Sequence, residues 1–293
     1  MKPILWLDLE QEVHKGEVGH PESPLRIKAI QRAVASLDSL VLRIRMDPIP
    51  KIQEPASSHT WFLDKGDTFC TVYTQALLKR GFEMIREATR SLALGITDCA
   101  YVCIRPPGHH ATDTIQSGFC HQNNVWIAIE QLRSQGFHSI GVIDWDAHHG
   151  DGTEHCIRAS ADPNLRFVSL HAYGPGIFPG TGSVTDNTDH ILNVPIPLGT
   201  NSETYIGLFH EKVLPFLKEG SPDLLIVSAG YDGHEKDPMG LLQLREQTYT
   251  HMSSQLKDFD CPVLFLLEGG YNPEVLASCV VATLKPWTSA FGS

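Results

Sequence analysis

The sequence predicts an α/β layered fold: a predominantly parallel central sheet flanked by helices, with the functional site at the carboxyl ends of the strands. Three observations predict it. Short apolar runs alternate with stretches of helical period through the 293 residues. Runs such as "LLIVSA" and "VLFLL" are apolar throughout, as strands covered on both faces must be. Five strand candidates end in Gly-rich turns carrying His, Asp or Tyr, and ligands of open α/β sheets gather at those ends.

In chain order the strands are expected at 4–7, 41–46, 100–104, 139–144, 165–170, 223–229 and 262–267. Each is a short apolar or β-branched run bounded by turn formers. Helices are expected at about 24–38, 72–94, 123–135, 203–218, 241–257 and 273–284, where apolar residues recur at helical spacing. Residues 47–70 are rich in Pro, Ser and Asp and read as a loop. Without a repeat, low-complexity tract or linker, the chain is expected to form one domain over 1–293.

Composition narrows the function. The chain is 42% hydrophobic and 19% charged, as for a soluble globular protein, and carries a net charge of −11. That balance excludes recruitment of nucleic acid by a whole-molecule field. Seven scattered cysteines with no CxxC pair indicate a reduced, cytoplasmic chain. No stretch approaches the ~18 apolar residues of a membrane span.

The turns after the five strands are "RPPGHHA", "DWDAHHGDG", "HAYGPGIFPGTG", "GYDGHEKDP" and "EGGYN". Alternation along an extended strand would turn Asp144, Asp146 and His148 to one side. Carboxylates placed together repel unless a cation lies between them. Asp146 and His148 offer half of a metal site, and Asp232 is the best candidate for the third ligand. Three ligands leave a position open, the mark of a catalytic rather than a structural zinc. His109 and His110 are natural proton carriers near neutral pH. Each needs an orienting carboxylate, and Asp144 and Asp151 are available. Cys120 is a redox-sensitive thiol or a small core residue.

With "GHPESPLR", "GFCHQNN" and "NVPIPLGT" added, these motifs resemble, in order, those of the zinc-dependent histone deacetylase family. The resemblance covers roughly 19–45 and 70–285. The "LEGGYN" form, with Glu268, is similar to class II and bacterial amidohydrolase members. It implies an arginase–deacetylase fold with one catalytic zinc on Asp146, His148 and Asp232. It pairs Asp144 with His109 and Asp151 with His110, and makes Tyr271 the oxyanion donor. Gly118, Phe119 and Phe178 would line an acyl-lysine tunnel, with Met239 at its rim. A structural potassium would take Asp144, Ser169 and Leu170.

The implied activity is hydrolysis of an acyl amide by metal-activated water, with the tandem histidines as acid and base. Acylated lysine in a peptide or protein is the implied substrate. The alternatives are an acetylpolyamine or other small acylated amine, and an inactive acyl-lysine-binding protein. A binuclear ureohydrolase is disfavoured, because the order here is DxDxH rather than DxHxD. A polyamine-selective member carries a glutamate where Met239 stands. No direct nucleic-acid contact or membrane association is implied, and a homo-oligomer is possible. Asp64 and Asp67 remain candidates for an acidic rim residue, and His149 is expected to point away from the site.

Overall fold

The computed structural model describes residues 1–16, 18–49, 61–63 and 67–288. In chain order the strands are β1 (Ile4–Asp8), β2 (Val41–Arg45), β3 (Trp61–Leu63), β4 (Thr68–Cys70) and β5 (Cys99–Cys103). They continue with β6 (Ile140–Asp144), β7 (Leu165–Ala172), β8 (Ile191–Ile196), β9 (Leu224–Ala229) and β10 (Val263–Leu267). The α-helices are α1 (Leu25–Val34), α2 (Thr74–Ala93), α3 (Asn124–Ser134), α4 (Asp151–Ser160), α5 (Ser202–Leu208), α6 (Leu214–Glu219), α7 (Glu246–Leu256) and α8 (Pro273–Thr288).

Eight strands form one sheet in the order β2–β1–β5–β10–β9–β6–β7–β8, and every pairing in it is parallel. Parallel neighbours require crossovers, and helices supply them on both faces. The pleat divides each strand between two cores. Val263, Phe265 and Leu267 pack with α1, α7 and α8, whereas Leu264 and Leu266 pack with α2 and α3. This two-sided burial explains why "VLFLL" shows no polar alternation. Each such side chain contributes roughly 1.5–3 kcal/mol relative to an exposed one.

The structure revises several expected elements. Residues 191–196, "ILNVPI", form a strand that the sequence reading missed because it contains Pro195. Proline cannot donate to a ladder, and β8 sits at the sheet edge, where one side of the strand has no ladder to lose. Residues 151–160 are a helix, where the reading saw only a polar turn. Two acidic residues, Asp151 and Glu154, occupy its first turn, where the helix dipole favours them. The helix expected over 203–218 is interrupted by a π turn at Phe209–Val213, just before Pro215. The helix expected from 241 starts at Glu246, because Gln243 and Leu244 donate instead to the carbonyls of Thr200 and Gly233. The expected loop at 47–70 contains the antiparallel pair β3–β4.

Five consecutive strands of the sheet, β5–β10–β9–β6–β7, carry the five unusual turns. Their carboxyl ends all face one edge, which places these turns side by side.

Candidate active site

β6 ends at Asp144, so strand pairing does not extend through Asp146 and His148 as the sequence suggested. Tight carboxylate turns take over. Asp144 Oδ1 accepts the N–H of Asp146 (3.1 Å), and Asp146 Oδ1 accepts the N–H of His148 (2.9 Å). The alternation of direction survives, since Ile143, Trp145 and Ala147 all enter the core.

Asp146, His148 and Asp232 converge. Their ligand atoms lie within 4.8 Å of one another. His148 Nδ1 is 3.1 Å from Asp146 Oδ1 and 2.9 Å from Asp232 Oδ2. Both carboxylates are fully buried. Burial works against a charged His148, but Asp232 and Asp146 outweigh it and carry it up to about 10. Burial raises both carboxylates. Asp146 ends below the ordinary range because His109 and His148 face it, whereas Asp232 reaches about 7 with Asp146 adding to the cost. Such a group calls for a cation among its donors, and two carboxylates with one imidazole suit a zinc-like ion.

The tandem histidines lie beside it. His109 Nδ1 is 2.9 Å from Asp144 Oδ2, and His110 Nδ1 is 2.7 Å from Asp151 Oδ1. The two shift in opposite directions. Burial disfavours charge on His109, but Asp144, Asp146 and Glu268 together raise it well above its ordinary value. Burial and the neighbouring His109 lower His110 to about 4.

A cavity of about 220 Å³ opens over these groups, lined by Asp67, His110, Gly118, Phe119, His148, Phe178, Met239 and Tyr271. A larger depression of about 450 Å³ beside β2 holds none of the metal-ligating or tandem-histidine groups. The Phe119 and Tyr271 rings meet edge-on at 5.6 Å, and Phe178 meets His110 edge-on at 4.9 Å. Gly118 (φ 56°) admits no side chain, because a Cβ there would lie 2.5 Å from the His110 ring. Phe119 has φ 68°, a strained value for an aromatic residue. Its N–H donates to Thr68 Oγ1 (3.1 Å), and Ser117 and Cys120 bridge across the turn.

Over residues 47–286 the chain matches the family model for the histone deacetylase domain. The chain belongs to the histone deacetylase family. A probable deacetylase of Archaeoglobus fulgidus is 33% identical, over 85% of this chain and 70% of that protein. The crystal structure of the HDA15 HD domain matches with a TM-score of 0.86 at 25% identity, covering 98% of this chain and 88% of that one. An acetylpolyamine aminohydrolase from Burkholderia pseudomallei matches at 0.83 and 20% identity, over 97% and 98%. The arginase–deacetylase fold expected from the motifs is therefore the observed one, and this deacetylase-family chain is a hydrolase of amide bonds. Among the described residues, no helix is long and apolar enough to cross a membrane.

Other expected residues of the deacetylase-family chain are placed as follows. Asp144 is paired in register with Ser169 across β6–β7, and the Leu170 carbonyl accepts the Tyr205 hydroxyl at 3.3 Å. The Ser169 hydroxyl itself lies 2.9 Å from His171 Nδ1. His149 turns away, to Thr181 and Glu154. Cys120 is fully buried with its thiol raised by burial, which fits a core residue. Asp64 lies outside the described residues, whereas Asp67 reaches the cavity.

Sequence reading missed the buried ions behind the site. Glu22 and Arg26 stand in "GHPESPLR", and Arg105 opens "RPPGHHA". Arg105 grips Glu22 with Nε and Nη2, the latter at 2.7 Å. Arg26 donates to the carbonyls of Glu268 and Gly270, the latter at 2.7 Å, so the N-terminal motif braces the loop carrying Tyr271. Glu268 was noted only as a subgroup marker, yet its carboxylate accepts the N–H groups of Gly108 (2.7 Å) and His109 (3.2 Å). The available signal was charge inside otherwise apolar and Gly-rich motifs.

Burial raises a carboxylate, but Arg105 and then Arg26 more than offset this and hold Glu22 at about 2. The folded value lies below the ordinary 4.5. Stabilisation by ionised Glu22 is therefore present above pH 4.5 and is lost as pH falls toward about 2. Glu22→Gln is expected to cost about 3–5 kcal/mol at neutral pH, since it removes the buried negative charge that faces both Arg26 and Arg105. Urea unfolding as a function of pH checks this. The variant's stability should also fall less steeply across that window, and an unchanged slope refutes the assignment.

Proposed function

We propose that the chain is a zinc-dependent deacetylase that removes the acyl group from an acylated lysine side chain. The observation that carries this reading is the convergence of Asp146, His148 and Asp232 beneath a narrow cavity that His110 and Tyr271 also line. Zinc held by those three residues would polarise the amide carbonyl and lower the pKa of a water from ~16 toward ~7.

The protein groups divide the remaining work. His110 has Nδ1 engaged by Asp151, which leaves Nε2 as the nitrogen that takes a proton from water and returns it to the leaving amine. His109, tied to Asp144, keeps its proton and supplies positive field from behind. Burial, with Asp232 adding to it, raises the Tyr271 hydroxyl well above its ordinary value. Tyr271 therefore stays protonated and donates to the developing oxyanion. Phe119 and Phe178 would flank the aliphatic chain of the substrate. A potassium ion held by Asp144, Ser169 and the Leu170 carbonyl would stiffen the β6–β7 ends that carry two of the zinc ligands.

A second reading, an acetylpolyamine or other small-amine amidohydrolase, is favoured by one observation. The Asp67 carboxylate at the cavity can receive an ammonium group. Met239 lines the same cavity and supplies no charge, which favours the acyl-lysine reading. An inactive acyl-lysine-binding protein is disfavoured, because ligands, tandem histidines and tyrosine are all present.

A turnover panel crossing acyl length with amine identity tests these readings on the zinc-loaded protein. Acetyl-lysine peptides are expected to exceed acetylpolyamines in kcat/KM. The reverse order selects the second reading, and no turnover of any acyl amide refutes both. Met239→Glu is expected to raise kcat/KM for acetylpolyamines by roughly fivefold, the scale of one partly exposed charge pair of ~1 kcal/mol. No change in the ratio of the two substrates would remove Met239 from selectivity.

A further inference from the structure

The loop from Glu268 to Asn272 presents Tyr271 but contains two glycines, one of them with φ 112° at Gly270. Small residues are required here. A Cβ on Gly269 would fall 2.5 Å from oxygens of both Asp146 and Asp232. Glycines leave a loop with many accessible conformations, so the direction of Tyr271 must be set from outside the loop.

One buried carboxylate does this from the N–H side. Asp237, 5% exposed, lies in the turn after β9. Its Oδ2 accepts the N–H of Tyr271 at 2.6 Å and that of Asn272 at 3.2 Å. Its Oδ1 accepts the N–H of Met239 at 3.0 Å. Arg26 holds the carbonyl side of the same loop, and its guanidinium carbon lies 5.2 Å from the centre of the Tyr271 ring. Asp237 stands five residues after Asp232 in the same turn. The peptide that carries the tyrosine is thus referenced to the turn that carries a metal-site carboxylate.

We propose that Asp237 is a positioning residue that holds the Tyr271 hydroxyl in register with the Asp146–His148–Asp232 group. The inference rests on the deacetylase reading of Tyr271. Hydrogen bonds from N–H to a carboxylate are the stronger, shorter kind. Loss of one lets the Gly-Gly loop drift, and about 1 Å of misplacement in an active site costs on the order of 100-fold in rate.

A double-mutant cycle separates positioning from simple support of the fold. Asp237→Asn keeps the volume and one acceptor oxygen. It is expected to lower kcat on an acetyl-lysine peptide by roughly 10–100-fold, with KM changed little and zinc content retained. Asp237→Ala is expected to lose more, with Asn between Ala and wild type. In a Tyr271→Phe background the same Asp237→Asn change is expected to have almost no further effect, since residues acting through one group are not additive. Equal losses in the two backgrounds would overturn the inference while leaving the deacetylase reading intact. A chain that fails to fold as Asp237→Asn would also overturn it, by assigning the residue to stability. Wild-type turnover of Tyr271→Phe alone would instead remove the reading on which the inference stands.

Discussion

Asp232→Ala is expected to abolish turnover and to weaken zinc binding by more than ~100-fold. Loss of an outer-shell partner alone costs 10–100-fold in metal affinity, and Asp232 lies inside the cluster. Its Oδ2 is 2.9 Å from His148 Nδ1, and its Oδ1 accepts the N–H of Ala147 at 2.9 Å. Alanine removes one of three donors and one of two negative charges from a group whose carboxylates are both fully buried. Asp146→Ala should behave alike, and it also loses the bonds from the N–H groups of Gly269 (2.9 Å) and His148. Elemental analysis after dialysis, with circular dichroism to establish folding, is the measurement. One zinc per chain retained by either folded variant would break the ligand assignment.

Tyr271→Phe is expected to keep zinc, fold and substrate affinity, and to lose roughly 100–1000-fold in kcat. Removal of one oxyanion donor costs about 3–4 kcal/mol in a water-excluded site. The ring is positioned from three sides: Phe119 edge-on at 5.6 Å, the Arg26 guanidinium at 5.2 Å, and Asp237 through the peptide N–H at 2.6 Å. Phenylalanine preserves the ring contacts, so the loss should fall on kcat rather than KM. Such a split marks an interaction made mainly in the transition state. Steady-state kinetics on an acetyl-lysine peptide with zinc quantified in the same sample decides it, and near-wild-type kcat would take Tyr271 out of the mechanism.

Much of the site was legible because its chemistry is concentrated. Two carboxylates and a histidine at alternate positions after an apolar run stand out chemically, and the candidate third ligand stood at the end of another such run. The pairings Asp144–His109 and Asp151–His110 came from family resemblance, and the structure places each pair within 2.9 Å. The route to convergence was misread. Carboxylate turns after Asp144, rather than continued strand, bring Asp146 and His148 together. β8 was missed because Pro195 signals a break in any window that cannot see it will lie at an edge.

By itself the sequence indicated seven of the eight strands of the sheet, the five strand ends that carry unusual turns, and candidate residues for holding a metal or moving a proton. Those follow from local rules, the pleat period and the chemistry of side chains, which act over a few residues. Only the tertiary structure decided that these strands are neighbours, in the order β5–β10–β9–β6–β7. It also decided that Glu22, Arg26, Arg105, Asp237 and Glu268 close around the tyrosine and histidine loops. Contacts such as Arg26 to Gly270 span 244 positions. They are set by which helices cover which face, and no local period in the chain encodes that.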